Sequence, residues 1–149
     1  MHIRTLRNDE FELVEHIYAL SKLDELKFEN TRFQFVPIRQ DARRLRELLE
    51  CEIYVYDDGR VLGYGALVRN QIRALYVLPD ARGKGVGSSL LEFMLNRMSH
   101  PAKLFIAKSN SPARHFYERY GFRITNEFET TYNGTSVLAN EMTRAGCDD

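Results

Sequence analysis

The stretch Leu75-Tyr76-Val77-Leu78-Pro79-Asp80-Ala81-Arg82-Gly83-Lys84-Gly85-Val86-Gly87-Ser88-Ser89 constrains this chain more than any other. Strand formers run up to a proline, a glycine-rich turn follows, and apolar residues at helical spacing begin at once: Val86, Leu90, Leu91, Met94, Leu95 and Met98. Leu104 to Ala107 then supplies a short buried strand, so residues 72–107 read as a strand-helix-strand crossover. The start of a helix leaves backbone N–H groups unpaired and carries about half a unit of positive charge. Glycines let an anion approach the backbone closely, and Arg82 and Lys84 add formal charge. The expectation is a cradle for a phosphate or pyrophosphate, set against the plainer one of a tight turn that only needs backbone freedom.

Two familiar phosphate loops fail here on chemistry. A P-loop closes on Gly-Lys-Ser/Thr, whereas Gly83-Lys84 is followed by Gly85. A dinucleotide fingerprint places its third glycine where this chain has Ser88, and wants an acid about 20 residues on, where Leu104 to Ala107 supply none.

The rest of the chain surrounds this unit with ordinary elements. Ile3 to Leu6 alternates as a strand, and Asn8-Asp9-Glu10 offers N-cap chemistry to a helix whose apolar members are Phe11, Val14, Ile17, Tyr18 and Leu20. Residues 21–39 read as irregular with a short helix. A second helix is predicted over 41–50, with Ala42, Leu45, Leu48 and Leu49 on its apolar side. Glu52 to Tyr56, Val61 to Val68 and Ile72 to Leu78 form an antiparallel meander. Pro112 is placed to open a helix striped by Ala113, Phe116, Tyr117 and Tyr120, with Gly121 as its C-terminal cap. Asn133-Gly134 is a hairpin turn between Arg123 to Tyr132 and Thr135 to Met142, and the chain from Thr143 reads as a frayed polar tail. The whole is α+β, mostly antiparallel, one domain over 1–149.

Composition narrows the function classes. With 21 Lys plus Arg against 21 Asp plus Glu, the formal net charge is zero, which argues against non-specific nucleic-acid binding. At 44% hydrophobic and 28% charged, a chain of 149 residues has material for a core. No apolar stretch approaches the roughly 18–20 residues of a membrane span, and Met1-His2-Ile3-Arg4 carries no signal-peptide pattern, so a cytoplasmic setting is expected. Cys51 and Cys147 have no metal or redox spacing, nor do His2, His16, His100 and His115, so no metal is expected. Ser88 and Ser89 lack a nucleophile-elbow setting, and Asp148-Asp149 reads as a solvated terminus.

Two motifs carry a family resemblance. Arg82-Gly83-Lys84-Gly85-Val86-Gly87 resembles the Arg/Gln-x-x-Gly-x-Gly/Ala signature of the GNAT superfamily of acyl-CoA-dependent N-acetyltransferases. Asn110-Ser111-Pro112-Ala113-Arg114-His115-Phe116-Tyr117-Glu118-Arg119-Tyr120-Gly121-Phe122 is similar to its second motif, Asn-x-x-Ala-x-x-Phe-Tyr-x-x-x-Gly-Phe. The likeness covers residues 60–142 well, and 10–50 only as two helices before a meander. It implies a central mixed, mostly antiparallel sheet of about six to seven strands with about four helices on both faces.

The resemblance also implies roles. Backbone N–H groups among Gly83, Lys84, Gly85, Val86, Gly87 and Ser88 would hold the pyrophosphate of acetyl-CoA, a cosubstrate, with Arg82 supporting the turn. Backbone near Leu75 and Val77 would pair with the pantetheine amides as a false extra strand, and Asn110 would contact the cofactor arm. Tyr117 would be the general acid that protonates the leaving thiolate, against the alternative that it only packs its helix. An amine of pKa about 10.4 must lose a proton, at roughly 4.6 kcal/mol at pH 7. No Asp or Glu lies inside Ile72–Leu78 or Leu104–Ala107, so no base is assigned; Glu52, Tyr54, Tyr56 or a relayed water stay open.

The acceptor would be a primary amine of a small molecule or peptide, bound by the first two helices, the segment between them and the C-terminal hairpin. There Asp24, Glu25 and Glu29 beside Phe28, Phe33 and Phe35 could receive a cation, or could be solvated charges over core aromatics. A CoA-binding module with little transferase activity is the alternative, motivated by the missing base. Transfer of a longer acyl group, or to a protein terminus, is a third reading. A homodimer is one arrangement the edge of the C-terminal hairpin permits.

Overall fold

The computed structural model describes residues 2–146; Met1, Cys147, Asp148 and Asp149 lie outside the described residues. The chain runs β1 (Ile3–Thr5), α1 (Phe11–Ser21), α2 (Ala42–Leu49), β2 (Glu52–Asp57), β3 (Val61–Val68), β4 (Gln71–Val77), α3 (Val86–Leu95), β5 (Ala102–Ala107), α4 (Ser111–Glu118), β6 (Arg123–Tyr132) and β7 (Thr135–Arg144). Short 3₁₀ turns cover Lys22–Leu26 and Ile38–Gln40 in the segment read as irregular. All strands join one sheet in the order β1-β2-β3-β4-β5-β7-β6. Every pairing is antiparallel except β4 with β5. That parallel pair registers only at Gln71 opposite Lys103, and beyond it the two strands diverge.

Alternation along the strands sorts the helices onto two faces. Ile53, Val55, Leu62, Tyr64 and Ala66 pack with Val14, Ile17 and Tyr18 of α1 and Leu48 of α2. On the opposite face, Tyr54 and Leu67 pack with Leu91, Met94 and Leu95 of α3 and Tyr117 of α4. Burying one such aliphatic or aromatic side chain contributes about 1.5–3 kcal/mol. Gly63 and Gly65 bring α3 close: a Cβ at Gly63 would lie 3.3 Å from a Val86 methyl, and one at Gly65 2.7 Å from the tip of Met94.

Several local expectations are corrected by tertiary contacts. Glu10 precedes α1 without capping it; its carboxylate takes the Arg4 guanidinium and the Arg7 N–H instead. On α2, Asp41 is the cap, accepting from the Arg44 N–H, but only Leu48 is buried, while Ala42 is exposed and Leu49 is 63% exposed. The α3 helix stops at Leu95, and Met98 is buried from the turn that follows. Thr143 and Arg144 are not frayed: they end β7, and Arg144 Nε donates to the Tyr120 carbonyl at 2.7 Å. The Asn133-Gly134 turn has positive φ at both residues (50° and 78°), the left-handed geometry a tight hairpin requires. Gly121, at φ 91°, ends α4 as its sequence position implies.

Candidate active site

Where β4 and β5 part, a cleft of about 460 Å³ passes through the sheet. One side is lined by Gly87, Pro112, Phe116 and Tyr117 from the α3–α4 face, the other by Lys22, Asp24, Glu25 and Arg44 from the α1–α2 face. Leu78 N–H donates to the Leu62 carbonyl at 2.8 Å, toward β3. Strand alternation therefore aims the backbone of Leu75 and Val77 the other way, into the gap. The Val77 carbonyl already receives Arg82 Nε at 3.1 Å and Ser21 Oγ at 3.5 Å, which leaves its N–H as the open group.

At the cleft's rim the glycine-rich turn enters α3. Gly85, at φ 85°, is the N-cap residue and brings no side-chain acceptor. The first helical bond closed there is Ser89 N–H to Gly85 carbonyl, at 3.0 Å. The N–H groups of Val86, Gly87 and Ser88 thus point out of the helix start without a cap, at the positive end of its dipole. Gly83, Lys84 and Gly85 are exposed, while the Val86 side chain is buried in the core. Arg82 braces this turn from both sides: besides its bond to Val77 it donates to Asp24 at 2.7 Å.

Of the expected site residues, Leu75, Val77, Arg82, Gly87, Asn110 and Tyr117 line the cleft; Gly83, Lys84, Gly85, Val86 and Ser88 stand beside it on the turn and first helical positions. Asn110 has a structural duty the sequence motif alone did not reveal. Its side-chain oxygen caps α4 by accepting from Ala113 N–H at 3.4 Å, and its amide donors remain for a ligand. Tyr117 is 9% exposed, with edge contacts to Phe116 and Phe122. Burial, and after it the Glu25 carboxylate, pushes its phenol above the usual tyrosine range, so it is held as a proton donor.

None of Glu52, Tyr54 and Tyr56 reaches the cleft. Tyr54 donates to Glu52 at 2.7 Å on β2, and Tyr56 stacks on His2. The carboxylates that do line it are Asp24, already paired with Arg82, and Glu25, which accepts from Lys22 Nζ at 2.9 Å. Glu29 lies outside the cleft and bonds Ser109. Glu25, read from sequence only as one of three carboxylates that could receive a cation, is brought into the same cleft as Tyr117 by a 3₁₀ turn with no sequence signature of its own. Phe33 packs on Tyr132 and Phe35 on Tyr18 as structural aromatics, while Phe28 is half exposed.

Arg73 is a second residue that the strand pattern of Ile72–Leu78 does not place. The β3–β4 register shifts between Ala66 and Leu67, pairing them with Ala74 and Ile72 and leaving Arg73 as a bulge. The bulge turns its side chain onto the α2 side, where it donates to the Glu47 carbonyl at 2.7 Å. Among the described residues there is no group of three or more His, Cys, Asp or Glu arranged to hold a metal ion, and no helix long and apolar enough to cross a membrane.

Residues 50–124 match the family model described as an acetyltransferase (GNAT) domain. Over 93 residues the chain is 29% identical to the peptidyl-lysine N-acetyltransferase YiaC of Escherichia coli, covering 61% of this chain and 60% of that protein. Its match thus spans about three-fifths of that relative's length. Among solved structures, apo YjaB from Escherichia coli superposes with a TM-score of 0.74 at 26% identity, over 97% of each chain. A GNAT superfamily phosphinothricin acetyltransferase from Sinorhizobium meliloti, in complex with AcCoA, shares the fold at 20% identity, with a TM-score of 0.69 over 97% of this chain and 89% of that one.

Proposed function

This chain belongs to the GNAT acetyltransferase family, and from that premise we propose that it moves an acetyl group from acetyl-CoA to a primary amine of a small molecule or peptide, by direct attack in a ternary complex. The observation that carries the reading is the meeting, in one cleft, of an uncapped helix start, an unpaired strand edge and a buried phenol. These features fit acetyl-CoA. The N–H groups of Val86, Gly87 and Ser88, with Lys84 beside them, suit its pyrophosphate. The open backbone of Leu75 and Val77 suits the pantetheine amides, and the Asn110 amide faces the same arm.

Acetyl-CoA, when bound, supplies an acetyl thioester whose carbon–sulfur bond breaks as the amine nitrogen bonds to the acyl carbon. The chain manages the two protons. Glu25, on the acceptor side of the cleft, takes one from the amine nitrogen, directly or through a water. Tyr117 Oη gives one to the departing sulfur. The residues around Tyr117, chiefly Phe116 and Phe122, keep bulk water from the phenol. In a homodimer, the exposed outer edge of β6 is where a second copy would pair.

Calorimetry with acetyl-CoA, followed by thiol release over a panel of amines, tests this. Binding with turnover is expected. Gly87→Glu should abolish binding while folding normally, because a Cβ there meets only ordinary contacts, 3.6 Å from Val77 and 4.0 Å from Phe116. Binding without turnover on any amine returns the chain to a CoA-binding module, and no binding refutes the reading.

A further inference from the structure

On the α1–α2 side, a smaller cavity of about 100 Å³ opens off the cleft and shares Lys22, Arg44, Arg73, Ala74 and Tyr76 with it. Its charged lining is lopsided: Lys22, Arg44 and Arg73 against Glu47. The three cations are largely withdrawn from water, with side chains 11%, 20% and 19% exposed. Each is fixed in place by its own partners. Lys22 pairs with Glu25; Arg44 pairs with Asp41 at 3.0 Å and donates to the Thr131 carbonyl at 2.9 Å. Arg73 donates to the Glu47 carbonyl and to Gln71, and lies 3.6 Å from Glu50.

The fourth member is Tyr18. It is 4% exposed, it lines the cavity, and its hydroxyl is the buried side-chain polar atom among the described residues that has no hydrogen-bond partner. A buried unsatisfied hydroxyl costs about 1–3 kcal/mol, and buried polar atoms are otherwise almost always paired. Burial holds the phenol protonated, hence a donor. The hydroxyl shares with three cationic side chains the lining of a space of carboxylate size. The unmatched hydroxyl in a lining with three cations and one carboxylate suits an acceptor that carries negative charge.

Resting on the acetyl-transfer reading above, we propose that the acceptor is a free amino acid, or an amine that likewise carries a carboxylate. Its carboxylate enters the side cavity between Lys22, Arg44, Arg73 and the Tyr18 hydroxyl, and its amine stays in the cleft facing Glu25. The two ends of the ligand then meet opposite charges in the order the site presents them. A lysine within a peptide, or a polyamine, offers the amine but brings no carboxylate to the Tyr18 hydroxyl and its cationic surroundings, and that mismatch discriminates against it.

Wild-type protein with acetyl-CoA is tested by thiol release on free amino acids, their C-terminal amides, the matching decarboxylated amines and a lysine-containing peptide. The expected result is turnover of at least one amino acid, with kcat/KM about tenfold or more above its amide and its amine, carried by KM. Arg73→Gln and Tyr18→Phe should bring that acid-to-amide ratio toward one, with acetyl-CoA affinity reporting that both variants are folded. An amide or peptide used as well as the free acid overturns the proposal, as does turnover confined to amines without a carboxylate. Acetyl-CoA binding with thiol release on no amino acid overturns it as well. Failure of the acetyl-transfer reading is separately visible, as wild-type protein that does not bind acetyl-CoA.

Discussion

Replacing Tyr117 by phenylalanine removes one oxygen atom and little else. The ring is 9% exposed and wedged at 5.1 Å from Phe116 and 5.7 Å from Phe122, contacts that phenylalanine keeps. The hydroxyl is not needed to complete any hydrogen bond of the fold, so thermal stability should move by no more than a few degrees. Catalysis should fall much further. A positioned general acid is worth about 10²–10⁴ in rate, or about 2.7–5.4 kcal/mol at 1.36 kcal/mol per tenfold. Burial raises the phenol first and the Glu25 carboxylate raises it further, so Tyr117 stays protonated through the usual assay range. Burial raises the departing thiol in the same direction, which keeps sulfur a competent acceptor for the phenol's proton. The variant should therefore lose kcat across pH 7–9 without a new titration, while acetyl-CoA affinity by calorimetry is unchanged. Single-turnover thiol release isolates the chemical step. A Tyr117→Phe enzyme whose chemical step runs within about twofold of wild type would refute the role of proton donor.

The two β3 glycines should respond unequally to alanine. At Gly63 the new Cβ would sit 2.7 Å from the Tyr76 backbone carbonyl and 3.3 Å from Val77 Cα, so β4 must shift, at about 1–3 kcal/mol by urea unfolding. At Gly65 the clash is with the flexible end of Met94, and Gly65→Ala should cost less; the reverse order would show that β4, not Met94, is the pliable partner. Near the N-terminus, Arg4 and the Arg7 N–H lower the Glu10 carboxyl from 4.5 to about 2. A lowered folded value means stability is present above the ordinary pKa and is lost as pH falls toward 2. The gap in urea midpoint between wild type and Glu10→Gln should accordingly close between pH 4.5 and 2, and a gap that persists at pH 2 would exclude this pairing as its source.

What could be read from sequence was whatever is decided within a few residues. The span of β3, the left-handed Asn133-Gly134 turn, Gly121 at the end of α4 and the uncapped helix start at Gly85 all follow from local sterics. The burial of Leu48 but not Leu49 does not, because an eight-residue amphipathic helix can be rotated by its neighbours with little change in local preference. Arg73 was illegible for a sharper reason: one bulge inverts the face of a strand residue, and nothing in Ile72-Arg73-Ala74 announces the bulge. The glycine-rich rim of the cleft was legible because a single helix start and the strand before it assemble it. That Glu25 shares a cleft with Tyr117 was not, since these lie in separate elements joined only through the packed sheet.

The splayed strands also divide the molecule by how its parts are joined along the chain. The strand, turn and helix starts that form the glycine-rich side, from Leu75 to Tyr117, are contiguous sequence and fall inside the matched family region 50–124. The opposite wall is stitched from distant pieces: Tyr132 takes the Val36 N–H across 96 residues, and Arg44 reaches Thr131 across 87. Such contacts close the longest loops and form late in folding. If acceptor selection rests on Tyr18, Lys22 and Arg44 as proposed, substitutions there would change it while leaving the contiguous half intact. Two enzymes built this way can share a recognisable core and still have no substrate in common.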